Sequence, residues 1–189
     1  TGPPPGRTIF SAEKVLGAGQ FGTAVQVRSR RTGKLFCLKV VNVAGVNNDE
    51  MQQIESEVLV MKETCNHPNI VTFFDSWKRH NAFCILMELC NKSLDRLIVE
   101  FAEEQKYFAE TKLIFYMQEL SSALNYCHTN LRIMHRDIKP ANILIDGIGT
   151  LKLADFGLAR SLGNADFCAT FCGSPLYMSP EQCTGEYSF

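Results

Sequence analysis

The chain has 189 residues, of which 46% are hydrophobic and 21% charged; 19 basic side chains face 20 acidic ones, for a net charge of −1. A length of this order can bury a core of one domain or two small ones, and a near-zero charge gives no general pull toward nucleic acid or anionic lipid. The longest largely apolar stretch, Ala82 to Leu89, falls far short of the ~20 residues needed to cross a bilayer, and no leader-like segment opens the chain. A soluble cytoplasmic protein is expected, with the nucleus as second compartment, and neither nucleic acid nor membrane as a partner.

The eight cysteines, Cys37, Cys65, Cys84, Cys90, Cys127, Cys168, Cys172 and Cys183, are scattered, several inside apolar runs, and form no CxxC pair. With a core available, free thiols in a reducing compartment are the better reading than a disulfide scaffold. His67, His80, His128 and His135 show no zinc-ligand spacing with them.

Residues 1–7 carry three consecutive prolines between glycines and read as a disordered tail. Strand signals follow: an apolar run broken by glycines from Val15 to Gly22, then Ala24 to Val27, then Leu35 to Val43, with Thr32-Gly33 as a turn. This pattern predicts an antiparallel meander. From Asp49 the period becomes helical, with Met51, Ile54, Val58 and Met61 on one stripe, and the helix ends before Pro68. Strand-like runs at Ile70 to Phe74 and Ala82 to Leu89 come next, then a helix at Leu94 to Phe101 that Ser93 would cap.

The longest predicted helix, Ala109 to His128, would bury the stripe Leu113, Met117, Leu120, Leu124 and Cys127. Beyond it, Ile143–Ile145 and Leu151–Leu153 flank Asp146-Gly147, a hairpin signal. The order is a strand-rich half containing one helix, followed by a helix-rich half.

Gly17-Ala18-Gly19-Gln20-Phe21-Gly22 sits between two strands, where glycines let backbone N–H groups approach phosphate oxygens. By itself such a string more often marks a turn, and opening a strand argues against a dinucleotide fold. Lys39 stands seventeen residues past Gly22 in an apolar strand, on the face of Leu35 and Cys37. A lysine there is costly unless it meets an anion or snorkels to solvent at an edge. His135-Arg136-Asp137-Ile138-Lys139-Pro140-Ala141-Asn142 then places an acid, a lysine and an amide in one short loop, and Asp155-Phe156-Gly157 begins thirteen residues after Asn142.

With Ser179-Pro180-Glu181, these motifs stand in the order of the eukaryotic protein kinase catalytic domain, which the chain resembles from Thr8 to Phe189. The resemblance implies an α+β, protein-kinase-like bilobal fold. Residues 8–87 would form an antiparallel β-sheet lobe with one helix, 88–90 a hinge, and 91–189 an incomplete, mainly helical lobe with the catalytic loop and activation segment. It implies a protein serine/threonine kinase that uses ATP and Mg²⁺ on a protein substrate; the alternative is a catalytically silent nucleotide- or partner-binding pseudokinase fragment.

The roles carried over are specific. Gly17, Gly19 and Gly22 would cover the phosphates, and Lys39 would bind them, oriented by Glu57 with Glu55 as the alternative. Leu16, Ala24, Cys37, Met87, Glu88, Cys90 and Leu144 would surround adenine, Met87 controlling access behind it. Asp137 would accept or orient the acceptor proton, Lys139 would stabilise the transferring phosphoryl group, and Asn142 and Asp155 would hold the metal. Lysine at position 139 favours the serine/threonine branch.

Ser174 would position the acceptor, while phosphorylation of Thr170 would order the segment by pairing with Arg136. Met178-Ser179-Pro180-Glu181 is similar to the NIMA-related kinases. The family's domain continues past the segment matching Pro180-Glu181, so a truncated chain, poorly active alone, with a partner covering the exposed face of the helical half, is expected.

Overall fold

A computed structural model of the protein describes residues 10–19, 22–64, 66–156, 160–161 and 174–184. The 1–7 tail, Cys65, Gly157, Cys168, Thr170 and Cys172 lie outside the described residues, as does the side chain of Glu57. The chain divides into two compact units, Thr1–Val58 with Thr72–Leu89, and Leu59–Val71 with Cys90–Phe189.

The first unit is a five-stranded sheet. Strands β1 (Phe10–Gly19), β2 (Gly22–Ser29), β3 (Leu35–Asn42), β4 (Phe73–Arg79) and β5 (Ala82–Met87) lie in the order β1-β2-β3-β5-β4, every neighbour antiparallel. The expected meander is therefore β1-β2-β3, with a second hairpin added beside β3. Gly33 turns β2 into β3 with φ +71°, a backbone state that glycine enters without a Cβ penalty. Strand period 2 divides the sheet into two faces. Val27 and Leu86 are buried on the face of Phe36, where Phe10, Phe36 and Phe74 form an edge-to-face series with centroids 5.7 and 5.1 Å apart.

Helix α1 (Asn48–Thr64) begins in the first unit and ends in the second, where Val60, Met61 and Thr64 are buried. The run Ile70 to Phe74 differs from the expected strand. Ile70 makes only a parallel bridge to Leu153, and β4 starts at Phe73. The apolar character of Ile70 and Val71 reflects burial in the second unit, which period alone does not separate from strand membership.

The second unit holds α2 (Leu94–Glu103), α3 (Glu110–Asn125) and α4 (Pro180–Thr184). Its short strands are β6 (Lys92–Ser93), β7 (Ile133–Met134), β8 (Ile143–Ile145), β9 (Leu151–Leu153) and β10 (Arg160–Ser161); β6, β8 and β9 make one sheet, β7 and β10 another. Ser93 precedes α2 with extended dihedrals, but its side chain accepts no N–H of the first turn, so the capping expected of it is absent.

The stripe expected on α3 is also corrected. Leu113 and Met117 are 47% and 62% exposed, whereas Tyr116, Ala123 and Cys127 are buried. The true inner line runs Tyr116, Leu120, Ala123, Cys127, a 4-3-4 spacing that keeps one helix face. Tyr116 joins Ile143, Ile145 and Leu151 in a core flanked by Leu94, Leu97, Phe108 and Leu120, each fully buried side chain of this kind contributing about 1.5–3 kcal/mol. α3 is followed by a π-helical turn, Tyr126–Asn130.

The β8–β9 hairpin forms as expected, but its loop is longer than a two-residue turn. Asp146 Oδ1 accepts the N–H groups of Ile148 and Thr150 at 3.0 and 2.9 Å, and the positive φ, +89°, falls on Gly149 rather than Gly147.

Candidate active site

In the first unit, the residues expected to meet a nucleotide share one sheet face. Gly17, Ala24, Lys39 and Ile85 pair successively across β1, β2, β3 and β5, and Cys37 pairs with Met87 beside that row. Lys39 thus lies in the sheet's middle strand, not at an edge. Leu16 sits at an irregularity of β1 between Val15 and Gly17 and is 37% exposed. Gly19 pairs with Gly22 where the β1–β2 turn begins.

Gly22 has φ +116°, and a Cβ on it would lie 2.3 Å from the Val40 carbonyl oxygen, whereas one on Gly17 would meet nothing within 4 Å. Gly22 is thus required by the fold, and Gly17 leaves space above the strand. Burial pushes the Cys37 thiol up to about 11, with Lys39 opposing, so the residue is an uncharged apolar wall.

Glu88 is built into the same unit. Its N–H donates to the Thr72 carbonyl at 2.8 Å, and its Oε2 accepts both the Thr72 N–H and hydroxyl at 3.1 Å. The carboxylate is thereby turned toward Thr72. Sequence reasoning overlooked Thr72, which looked like an ordinary strand threonine.

In the second unit, the loop after β7 gathers the remaining groups. Asp137 Oδ1 accepts the Ser174 hydroxyl at 2.8 Å, while its Oδ2 accepts Asn142 Nδ2 and Lys139 Nζ, each at 2.8 Å. Lys139 Nζ also donates to Ser174 Oγ at 2.6 Å. Asn142 is buried, and its Nδ2 bonds the Asp137 carbonyl as well, at 2.8 Å. A Pro140–Asn142 turn of 3-10 helix sets this spacing, proline's fixed φ suiting its first position.

Desolvation alone would raise the Asp137 carboxyl. Hydrogen bonds from Lys139, Ser174 and Asn142, with the lysine charge, outweigh it and hold the group below the usual carboxylate value. Asp137 is consequently an ionised acceptor at neutral pH.

His135 is 1% exposed. Its ring packs edge-on against Phe156 at 4.8 Å, and its Nε2 lies 2.8 Å from the Ala154 carbonyl oxygen. Burial pushes the imidazole below its ordinary value despite that bond and the nearby carboxylates of Asp155 and Asp137. Ala154 N–H donates to the Asn142 carbonyl at 2.9 Å, so the backbone just before Asp155 is tied to the Asn142 backbone. Asp155 itself has φ +61° and Arg136 φ +67°, a left-handed state that costs a non-glycine residue about 1–2 kcal/mol.

A further tie was missed by sequence reasoning. Asn69 Nδ2 donates to the Leu151 carbonyl at 3.1 Å, and Leu153 N–H to the Asn69 carbonyl at 2.8 Å. The segment after α1 thus holds β9, which leads into Asp155. The only sequence signal was a polar side chain at the head of an apolar run. Leu144 lies on β8 opposite Lys152, and Cys90 opens the second unit's long segment as a partly buried cysteine.

The structure therefore brings together Asp137, Lys139, Asn142 and Ser174, and separately aligns Gly17, Ala24, Cys37, Lys39 and Met87 on one sheet. The chain matches the protein kinase domain over residues 10–188, and it belongs to that family.

Among its relatives, human serine/threonine-protein kinase Nek2 is 36% identical over 175 residues, covering 88% of this chain and 39% of that protein. Macaca fascicularis serine/threonine-protein kinase Nek11 is 36% identical over 177 residues, 91% of this chain and 27% of that protein. Mouse NUAK family SNF1-like kinase 1 is 30% identical over 177 residues, 93% and 26%. The chain thus spans well under half the length of these relatives.

Proposed function

We propose that the protein is an ATP- and Mg²⁺-dependent protein serine/threonine kinase, of NIMA-related character. The observation that carries this reading is the cluster in which Lys139, Asn142 and Ser174 all donate to the Asp137 carboxylate. A carboxylate kept ionised in that way can accept or orient the proton of an acceptor hydroxyl. Lys139 stands beside it with its charge available to a transferring phosphoryl group, and Ser174 links both to the segment that would carry the substrate peptide.

The residues present fit a magnesium ion. Asn142 turns its Nδ2 toward Asp137, which leaves its side-chain Oδ1 as the donor atom for an ion, and Asp155 offers a second hard oxygen donor. Among the described residues no group of three or more His, Cys, Asp or Glu could hold a metal ion; a site of one amide and one acid that shares its ion with phosphates needs no such group. Bound there, Mg²⁺ would neutralise phosphate charge during transfer. In the first unit, Gly17, Gly19 and Gly22 would admit phosphates to the backbone and Lys39 would pair with them, with Glu57 as its orienting acid. Leu16, Ala24, Cys37, Met87 and Glu88 would shape the base site there.

Thr170 would be the activating phosphorylation position, with Arg136 its partner. A protein is the substrate class, and the cytoplasm the compartment; among the described residues no helix is long and apolar enough to cross a membrane. The alternative of a catalytically silent module is not favoured, because Lys39, Asp137, Asn142 and Asp155 are all retained.

The test is transfer of the ATP γ-phosphate to a generic protein substrate with Mg²⁺, alongside Asp137→Asn and Lys39→Met. Transfer that needs Mg²⁺ and falls at least roughly a hundredfold in Asp137→Asn is expected. Nucleotide binding with no transfer above the Asp137→Asn background would establish the silent module instead.

A further inference from the structure

The peptide group joining Arg136 to Asp137 is gripped on both sides. Its N–H, that of Asp137, donates to His135 Nδ1 at 3.3 Å, and its carbonyl, that of Arg136, accepts Gln182 Nε2 at 3.1 Å. His135 is a fixed acceptor. Its Nε2 faces the Ala154 carbonyl oxygen at 2.8 Å, which can only accept, so the ring hydrogen is on Nε2 and Nδ1 presents a lone pair.

Gln182 is fixed as well. It lies in α4, its Oε1 accepting the Ser179 N–H at 3.3 Å while its own N–H donates to Ser179 Oγ at 3.3 Å. That reciprocal pair sets which end of the amide is oxygen, and so aims Nε2 at Arg136. The gripped peptide follows a residue at φ +67°, a conformation that persists only where surrounding groups over-determine it. Rotation of this peptide would swing the Cα–Cβ bond of Asp137, and with it the carboxylate that Lys139, Asn142 and Ser174 address.

We propose that Gln182 is a positioning residue for phosphoryl transfer: by holding the Arg136 carbonyl against the pull of His135 on the Asp137 N–H, it sets the orientation of the Asp137 side chain. This inference rests on the kinase reading. It assigns to the residue directly after Pro180-Glu181 a function in the catalytic step, distinct from closing the first turn of α4.

The two functions separate experimentally in the full chain. Gln182→Glu keeps the acceptor for Ser179 and removes the donor to Arg136, Gln182→Met removes both, and Gln182→Lys restores a donor of similar reach. In Gln182→Glu and Gln182→Met, kcat is expected to fall roughly tenfold with KM for ATP held within about twofold, and Gln182→Lys to recover most of the loss. Amide hydrogen exchange at Asp137 is expected to speed up roughly tenfold in the first two variants, while exchange in β8 and β9 stays unchanged. Unaltered exchange at Asp137 in Gln182→Glu overturns the grip whether or not the protein transfers phosphate. Faster exchange with an unchanged kcat overturns the positioning role, and absence of transfer by the wild-type chain overturns the kinase reading instead.

Discussion

Ser174 donates its hydroxyl to Asp137 Oδ1 at 2.8 Å across 37 positions of sequence. Lys139 approaches the same hydroxyl oxygen at 2.6 Å, so a single side chain from the segment before α4 bonds to both Asp137 and Lys139. On the proposed reading, the contact would join substrate positioning to the state of the acid. Ser174→Ala is expected to lower kcat by roughly tenfold, the order of one lost hydrogen bond to a charged group, and Ser174→Thr to retain it. Equal steady-state rates for wild type and Ser174→Ala would remove Ser174 from the site.

The glycines of the β1–β2 hairpin divide into two kinds. Gly22→Ala drives a Cβ to 2.3 Å from the Val40 carbonyl oxygen at a positive φ, so a loss of about 2–3 kcal/mol is expected, visible as an earlier denaturant midpoint. Gly17→Ala meets nothing within 4 Å and should leave that midpoint unchanged while raising KM for ATP several-fold. A Gly17→Ala protein with normal ATP saturation would show that the phosphates do not pass over this residue.

His67 gives a pH signature to stability. Its Nδ1 accepts the Asn69 N–H at 3.1 Å, its Nε2 meets Ser122 Oγ at 3.2 Å, and its ring stacks on Tyr126 at 5.1 Å. Burial, with a smaller contribution from Lys152, holds its pKa below the ordinary histidine value. The folded state then resists protonation that the unfolded chain accepts. Stability is full above the unfolded value of about 6.5 and falls as pH drops toward the lower folded one. His128 and His135 shift in the same direction, each through burial. Melting temperature should therefore decline from about pH 7.5 to 5.5, and less steeply in His67→Gln, which keeps an acceptor but cannot titrate. An identical slope in that variant would place the acid sensitivity on the other histidines.

Thiol chemistry should follow burial. Cys37 and Cys127 are both pushed up to about 11 by desolvation, whereas Cys183 is exposed. At about pH 8 only on the order of a thousandth of these two groups is thiolate, so iodoacetamide should modify Cys183 well before the half-buried Cys37 and the buried Cys127. Mass spectrometry of a labelling time course reads the order directly. Early modification of Cys37 would mean that its strand opens in the native protein.

Much of this architecture was legible from local pattern. The glycine hairpin, the apolar strand bearing Lys39, the period change at Asp49 and the Asp137–Asn142 spacing each reported the element that now contains them. Legibility failed where tertiary partners decide. Leu113 and Met117 read as core because a helical stripe of apolar residues does not say which of two adjacent stripes finds a partner; Tyr116 and Ala123, a step around the helix, are the buried ones. Ile70 read as a strand because burial among β9 neighbours imposes the same apolar composition as pairing. Thr72, Asn69 and Gln182 escaped notice for a common reason: their work is done by hydrogen bonds to groups that are distant in sequence, and no periodicity marks such a bond.

The π-helical turn at Tyr126–Asn130 has a consequence for length variation. Such a turn carries one residue more than an α-helical one over the same advance, and here Thr129 Oγ1 satisfies the Asn125 carbonyl at 2.6 Å within it. Tyr126 remains stacked on His67 and Cys127 stays fully buried at the near end, while β7 begins only at Ile133. The turn is a reservoir of a single residue between two anchored points. Deleting Thr129 would let α3 close with a regular α-helical end and leave β7 and the loop that carries Asp137 where they are. A chain one residue shorter between α3 and β7 would therefore keep Asp137, Lys139 and Asn142 in place.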